Sequence, residues 1–107
     1  MLHYRQLEND VIRRSMEQFP LGMFPATSYR SERVNCGPGD LFALVTDGLI
    51  ETFNQTEEEF GLDRLEQLLP QYATKPLQEI FEAVLAAVVG HGAQQDDCTL
   101  LLVRVLR

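Results

Sequence analysis

Asp40-Leu41-Phe42-Ala43-Leu44-Val45-Thr46-Asp47-Gly48 sets five consecutive apolar residues against a carboxylate and a glycine. An uninterrupted apolar run without polar alternation is the pattern of a strand covered on both faces, so residues 40–46 are expected at the centre of a sheet with a layer on each side. Asp47 then stands where the backbone leaves the sheet, and Gly48 allows a tight exit. A second such run, Thr99 to Leu106, follows Asp96-Asp97-Cys98. If the two strands are neighbours, both acidic ends meet at one edge of the core. Carboxylates brought together unpaired raise each other's pKa, and a divalent cation removes that penalty. Oxygen-only donors suit Mg²⁺ or Mn²⁺ better than Zn²⁺. Neighbours in extended chain face opposite ways, so Asp96 and Asp97 are not expected to serve one ion equally. The plainer alternative is that these acids solvate strand ends and stabilise turns.

Upstream of this stretch, Leu2 to Arg5 and Asp10 to Ser15 read as a hairpin turned by Glu8-Asn9-Asp10, with His3 on an edge strand. Phe19 to Pro25 is apolar but broken by Pro20, Gly22 and Pro25, which predicts a packed irregular connection. Ser28 to Asn35 reads as a strand with a wet face, closed by the Gly37-Pro38-Gly39-Asp40 turn. Downstream, Leu49 to Gly61 is expected to be a solvated irregular segment. Leu62, Leu65, Leu68 and Leu69 recur at helical spacing up to Pro70, which should end the helix. A second helix is expected with Thr74 as N-cap and Pro76 in its first turn. Its buried stripe should hold Ile80, Phe81, Val84, Leu85 and Val88, and Gly90 and Gly92 should stop it. Strands segregated from consecutive helices point to an α+β layered fold rather than a doubly wound one.

At 107 residues the chain has room for one domain, and its formal charge of −7 carries no clustered Lys and Arg of the kind that binds phosphate backbones, so no nucleic-acid role is expected. Cys36 and Cys98 form no CxxC or Cys-rich framework, which fits unpaired thiols in a reducing compartment. The longest uncharged apolar stretch, Ala83 to Val89, is too short to span a bilayer. With no apolar leader after Met1, no membrane association and a cytoplasmic location are expected. Neither His3 nor His91 has a second His or Cys at ligand spacing, which disfavours zinc. No GxSxG elbow or Gly-rich phosphate loop occurs.

The ordered set Pro38-Gly39-Asp40 through Thr46-Asp47-Gly48-Leu49-Ile50-Glu51, Glu59-Phe60-Gly61 before a Leu-rich helix, and Asp96-Asp97-Cys98-Thr99-Leu100 resembles the C-terminal part of the SpoIIE-like serine phosphatases. These form the sporulation and stress-response branch of the PPM metal-dependent protein phosphatases. Pro20-Leu21-Gly22 and Tyr29 match the same branch. The resemblance implies a partial PPM-like β-sandwich of mainly antiparallel sheets with flanking helices. It implies a two-ion Mn²⁺ or Mg²⁺ site, with activated water rather than a side chain as nucleophile on phosphoserine or phosphothreonine. Asp47 matches the metal-binding Asp of the TDG motif and Asp96 the first Asp of the closing DDxT motif. Gly48, Asp97 and Thr99 take supporting places in those motifs. The family's upstream half, with an Asp-Gly pair supplying further ligands and a Gly-His-Gly segment, has no counterpart here. Gly90-His91-Gly92 falls after the last helix and is not that segment. Residues 1–107 are therefore expected to be the C-terminal portion of the phosphatase domain, binding metal weakly and hydrolysing little alone. Exposed sheet edges would favour homo-oligomers.

The resemblance further implies a phosphorylated protein substrate, of which the STAS-type anti-sigma-factor antagonists are an example. Two other readings compete. One is a non-catalytic phosphatase-like module that binds a signalling partner through Glu51 to Phe60 and the helices. The other is a metal-dependent hydrolase of small phosphoesters, since substrate-recognising loops vary within one fold.

Overall fold

The computed structural model describes residues 1–14 and 33–106. The expected connection at 19–25 and most of the strand expected at 28–35 lie outside the described residues. Residues 33–35, the remainder of that strand, form no regular element.

Four antiparallel strands form one sheet: β1 (Leu2–Arg5), β2 (Asp10–Arg13), β3 (Leu41–Val45) and β4 (Leu100–Arg104), in the order β2-β1-β3-β4. Three helices complete the described chain: α1 (Asp47–Ile50), α2 (Gly61–Tyr72) and α3 (Leu77–His91). The α+β expectation holds. The hairpin of β1 and β2 forms with Arg5 opposite Asp10. Across its mouth the Arg5 guanidinium binds the Asp10 carboxylate through two hydrogen bonds, and Asn9 takes the left-handed conformation, φ 51°, that closes the turn. The hydrogen bonds from Arg5 hold the Asp10 carboxyl below its ordinary pKa. β1, however, is an interior strand, because β3 pairs with its other side through Leu2↔Ala43 and Tyr4↔Leu41. The expectation of His3 on an edge strand is thereby corrected.

β3 enters from a turn whose chemistry is local. Asp40 N–H donates to the Gly37 carbonyl at 3.1 Å, with Pro38 and Gly39 between them and Gly39 at φ 85°. Proline followed by a positive-φ glycine is the signature of a type II turn. β3 then pairs along its whole length with β4, from Leu41↔Arg104 to Val45↔Leu100.

Alternation along the strands sends Leu2, Tyr4, Leu41, Ala43, Leu100 and Leu102 to the face that the helices cover. There they meet Leu65 and Leu69 of α2 and Ile80, Val84 and Val88 of α3, all buried. The opposite face carries Leu44, Leu101 and Val103, which remain 39%, 54% and 44% exposed. β3 is therefore not covered on both faces among the described residues. Its apolar continuity has a physical counterpart all the same, since the second face is as apolar as the first.

α2 runs through Pro70 to Tyr72 instead of ending at the proline. In the last turn a proline forfeits a single backbone bond, while the apolar stripe Leu65, Leu69, Ala73 continues into the core. Arg104 reaches from β4 to the carbonyls of Ala73, at 2.7 Å, and Lys75 at the α2–α3 turn. A cation there suits the negative end of the α2 dipole. α3 starts later than expected. Pro76, not Thr74, is the N-cap, and its carbonyl accepts from the N–H groups of Glu79 and Ile80. Leu85 is 46% exposed and falls outside the buried stripe. Gly90 lies inside α3, so Gly92 alone marks its end.

Candidate metal centre

The loop after β3 is tied to the loop before β4 by an exchange of backbone and side-chain roles at Thr46. Its N–H donates to the Thr99 carbonyl at 3.1 Å, as in a normal ladder. Its own carbonyl, however, accepts from Leu49 N–H to begin α1. The returning Thr99 N–H is instead accepted by Thr46 Oγ1 at 2.9 Å. The hydroxyl thus replaces the missing ladder acceptor rather than capping the helix. This lets the sheet pairing continue to the point where the chain turns away, one residue before Asp47. Residues 47–50 form the helical turn α1, so Leu49 and Ile50, the start of the segment expected to be irregular, are helical. The turn is anchored by Leu49, 2% exposed, and by Thr52 Oγ1 donating to the Gly48 carbonyl at 3.1 Å.

Gly48 sits directly against the second acidic segment. A Cβ at this position would lie 2.0 Å from the Asp97 carbonyl oxygen and 3.5 Å from Asp96 Cβ. The approach is too close for any residue but glycine without displacing backbone, so its role is to let the two loops touch. The two strands expected to be neighbours are paired, and the segments that carry the acids touch at their ends. Asp47, Asp96 and Asp97 are all exposed. Asp96 Oδ1 accepts Asp97 N–H at 2.7 Å, which fixes the orientation of the Asp96 carboxyl and leaves its other oxygen free of that bond. None of the ion pairs among the described residues involves Asp47, Asp96 or Asp97.

The donor chemistry fits a hard divalent cation, with carboxylate oxygens on two rigidly joined loops. The donor number is smaller than a complete site needs. Among the described residues no three His, Cys, Asp or Glu side chains converge as a metal cage. Mg²⁺ and Mn²⁺ favour six oxygens, so Asp47 and Asp96 could supply only part of such a shell.

Thr46 was not singled out by its sequence context, although a hydroxyl just before a strand-end Asp carries the loop pairing. Thr46→Val should remove the acceptor for Thr99 N–H and cost about 1 kcal/mol at this exposed position. Thr46→Ser should behave like the parent. Hydrogen exchange at the Thr99 amide checks this, with faster exchange expected only in the valine variant.

The fold agrees with what similar proteins show. The family model of stage II sporulation protein E (SpoIIE) matches residues 1–106. The chain belongs to the SpoIIE family. Protein IcfG of Synechocystis sp. (strain ATCC 27184 / PCC 6803 / Kazusa) is 30% identical over 87 residues, 78% of this chain and 13% of that protein. The SiaA-PP2C domain of Pseudomonas aeruginosa superposes with a TM-score of 0.60 at 34% identity, over 67% of this chain and 31% of that one. The α+β arrangement therefore matches that of a PP2C domain. This SpoIIE-family chain spans a small part of either relative's length. Among the described residues no helix is long and apolar enough to cross a membrane.

Proposed function

We propose that this chain is the C-terminal portion of a metal-dependent protein phosphatase domain that hydrolyses phosphoserine or phosphothreonine in a signalling protein, such as a STAS-type anti-sigma-factor antagonist. The observation that carries the reading is the Thr46–Thr99 exchange together with the Gly48–Asp97 approach, which seat Asp47 and Asp96 on two loops held in one place. Membership of the SpoIIE family supports it.

In this reading Asp47 and Asp96 are ligands for Mn²⁺ or Mg²⁺, and the remaining donors come from water, the phosphate and residues beyond these 107. When bound, the cations supply charge neutralisation for the phosphoryl oxygens and activation of an attacking water. The chain's own part is positional. Gly48 admits the close approach, Thr46 and Thr99 hold the register, and the Asp97 N–H orients the Asp96 carboxyl. Asp97 itself acts as support. Leu44, Leu101 and Val103, exposed on the uncovered face, are where the rest of the domain or a second copy would pack.

The test is phosphopeptide hydrolysis by this chain beside a chain extended upstream, each with and without Mn²⁺. The extended chain should turn over only with metal, and the 107-residue chain should be slower by about two orders of magnitude or more. Metal-independent turnover, or none in either chain, overturns the reading.

A further inference from the structure

Beside the joined acidic loops lies an open groove of about 820 Å³, walled on one side by residues 53–56 and on the other by the end of α3 and residues 92–95. Its floor is fixed by a close backbone approach, since a Cβ on Gly92 would stand 1.9 Å from the Phe53 carbonyl oxygen. The first wall is internally braced. Asn54 Oδ1 accepts the N–H groups of Thr56 and Glu58 and the Thr56 hydroxyl, each at 2.9 Å. His91 Nε2–H ties the second wall to the first by donating to the Glu58 carbonyl at 2.8 Å. Val89, 69% exposed, and Phe53 supply apolar surface, and the exposed Gln94 and Gln95 supply amides.

No Lys, Arg, Asp or Glu lines this groove, so it has no charge with which to hold a phosphate itself. The charges stand at its margins and are predominantly negative. Glu57, Glu58 and Glu59 follow the first wall, and Asp96 and Asp97 follow the second. Arg64 lies 3.7 Å from Glu58 and donates to the Glu59 and Phe60 carbonyls, which offsets only one of the five acids. A surface of this composition accepts an extended peptide through amides and apolar contacts, and selects one bearing positive side chains. The whole chain, at −7, would otherwise repel a phosphoprotein.

We infer that the groove docks a Lys- or Arg-bearing segment of the substrate next to its phosphorylated residue. Gln95 in the wall directly precedes Asp96, so a polypeptide lying there would lead into the metal corner. This inference rests on the phosphatase reading for its substrate but not for its test, which measures binding without turnover.

A fluorescein-labelled lysine-rich peptide and its glutamate counterpart would be titrated against the full 107-residue chain by anisotropy, with amide shifts mapped by NMR. The basic peptide should bind at least about tenfold more tightly, lose affinity with added salt, and shift residues 53–56 and 89–95. Glu57→Lys with Glu59→Lys should weaken it by about tenfold, whereas Glu79→Lys with Glu82→Lys, an equal change of net charge on α3, should not. Equal affinity for both peptides, shifts centred elsewhere, or equal effects of the two reversals would overturn the groove. In the extended phosphatase chain the failures separate. Phosphopeptide turnover indifferent to flanking lysines removes the groove alone, whereas preferential peptide binding without metal-dependent turnover removes the phosphatase reading and leaves the groove.

Discussion

Asp47→Asn and Asp96→Asn, placed separately in the extended domain, should each lower Mn²⁺-dependent phosphopeptide turnover on the order of 10²–10³-fold while the fold survives. Both carboxylates are exposed and make none of the ion pairs that tie the described elements together, so neutralising either removes a donor without disturbing the core. The substitution conserves volume, and the loops stay joined because Thr46, Gly48 and Thr99 are untouched. Mn²⁺ titration by calorimetry should show weaker binding in both variants, and thermal melts without metal should superpose on the parent. Asp97→Asn should cost less, about tenfold, because its backbone N–H rather than its carboxylate is engaged in orienting Asp96. Parental turnover in the Asp47 or Asp96 variant would remove these residues from the ligand set. A lowered melting temperature would instead assign them a structural role.

How far the site was legible in the sequence follows from how local its determinants are. The acids at two strand ends could be read because each adjoins a long apolar run, and the α+β class followed from runs and periodicity. Pairing partners are another matter. Nothing in Leu2 to Arg5 distinguishes a strand at the edge from one between two neighbours, so the interior place of β1 was invisible. Pro70 misled because the cost of a proline depends on its position in the helix, and the stripe through Ala73 belongs to packing across elements. Leu85 misled for a related reason, since its face of α3 is defined by where β4 and α2 lie. The role of Thr46 is not legible, because a hydroxyl that substitutes for a ladder carbonyl has no sequence signature. Least legible is the pairing of His3 with Asp40, separated by 37 positions and joined only by strand pairing.

That pair carries the second large effect. His3 is fully buried, stacks on Phe42 with ring centroids 4.3 Å apart, and faces Asp40, which is 6% exposed. Arg14 Nε donates to His3 Nδ1 at 3.1 Å. A guanidinium N–H can only donate, so Nδ1 accepts and the ring proton resides on Nε2, which donates to Asp40 Oδ2 at 2.8 Å. Asp40 also accepts the N–H groups of Gly37 and Gln6, each at 3.1 Å, joining the β1–β2 turn to the turn that launches β3. Burial pushes the Asp40 carboxyl upward, but the hydrogen bonds from His3, Gly37 and Gln6 outweigh it and hold the pKa below the ordinary value of 3.8. A carboxyl depressed on folding stabilises the native state fully above the unfolded pKa, and that contribution is lost as pH falls through the folded one. Asp40→Ala strands the buried His3 Nε2–H and two part-buried N–H groups, those of Gly37 and Gln6, at once and should cost about 3 kcal/mol at neutral pH, roughly 15 °C in melting temperature for a domain of this size. Asp40→Asn should cost less, since it keeps one acceptor but sets an amide N–H against a donor. The decisive measurement is urea unfolding from pH 7 down to below 3.8. The parent should lose stability below that pH more steeply than either variant. Parallel acid profiles in all three proteins would show that the Asp40 network does not anchor this sheet.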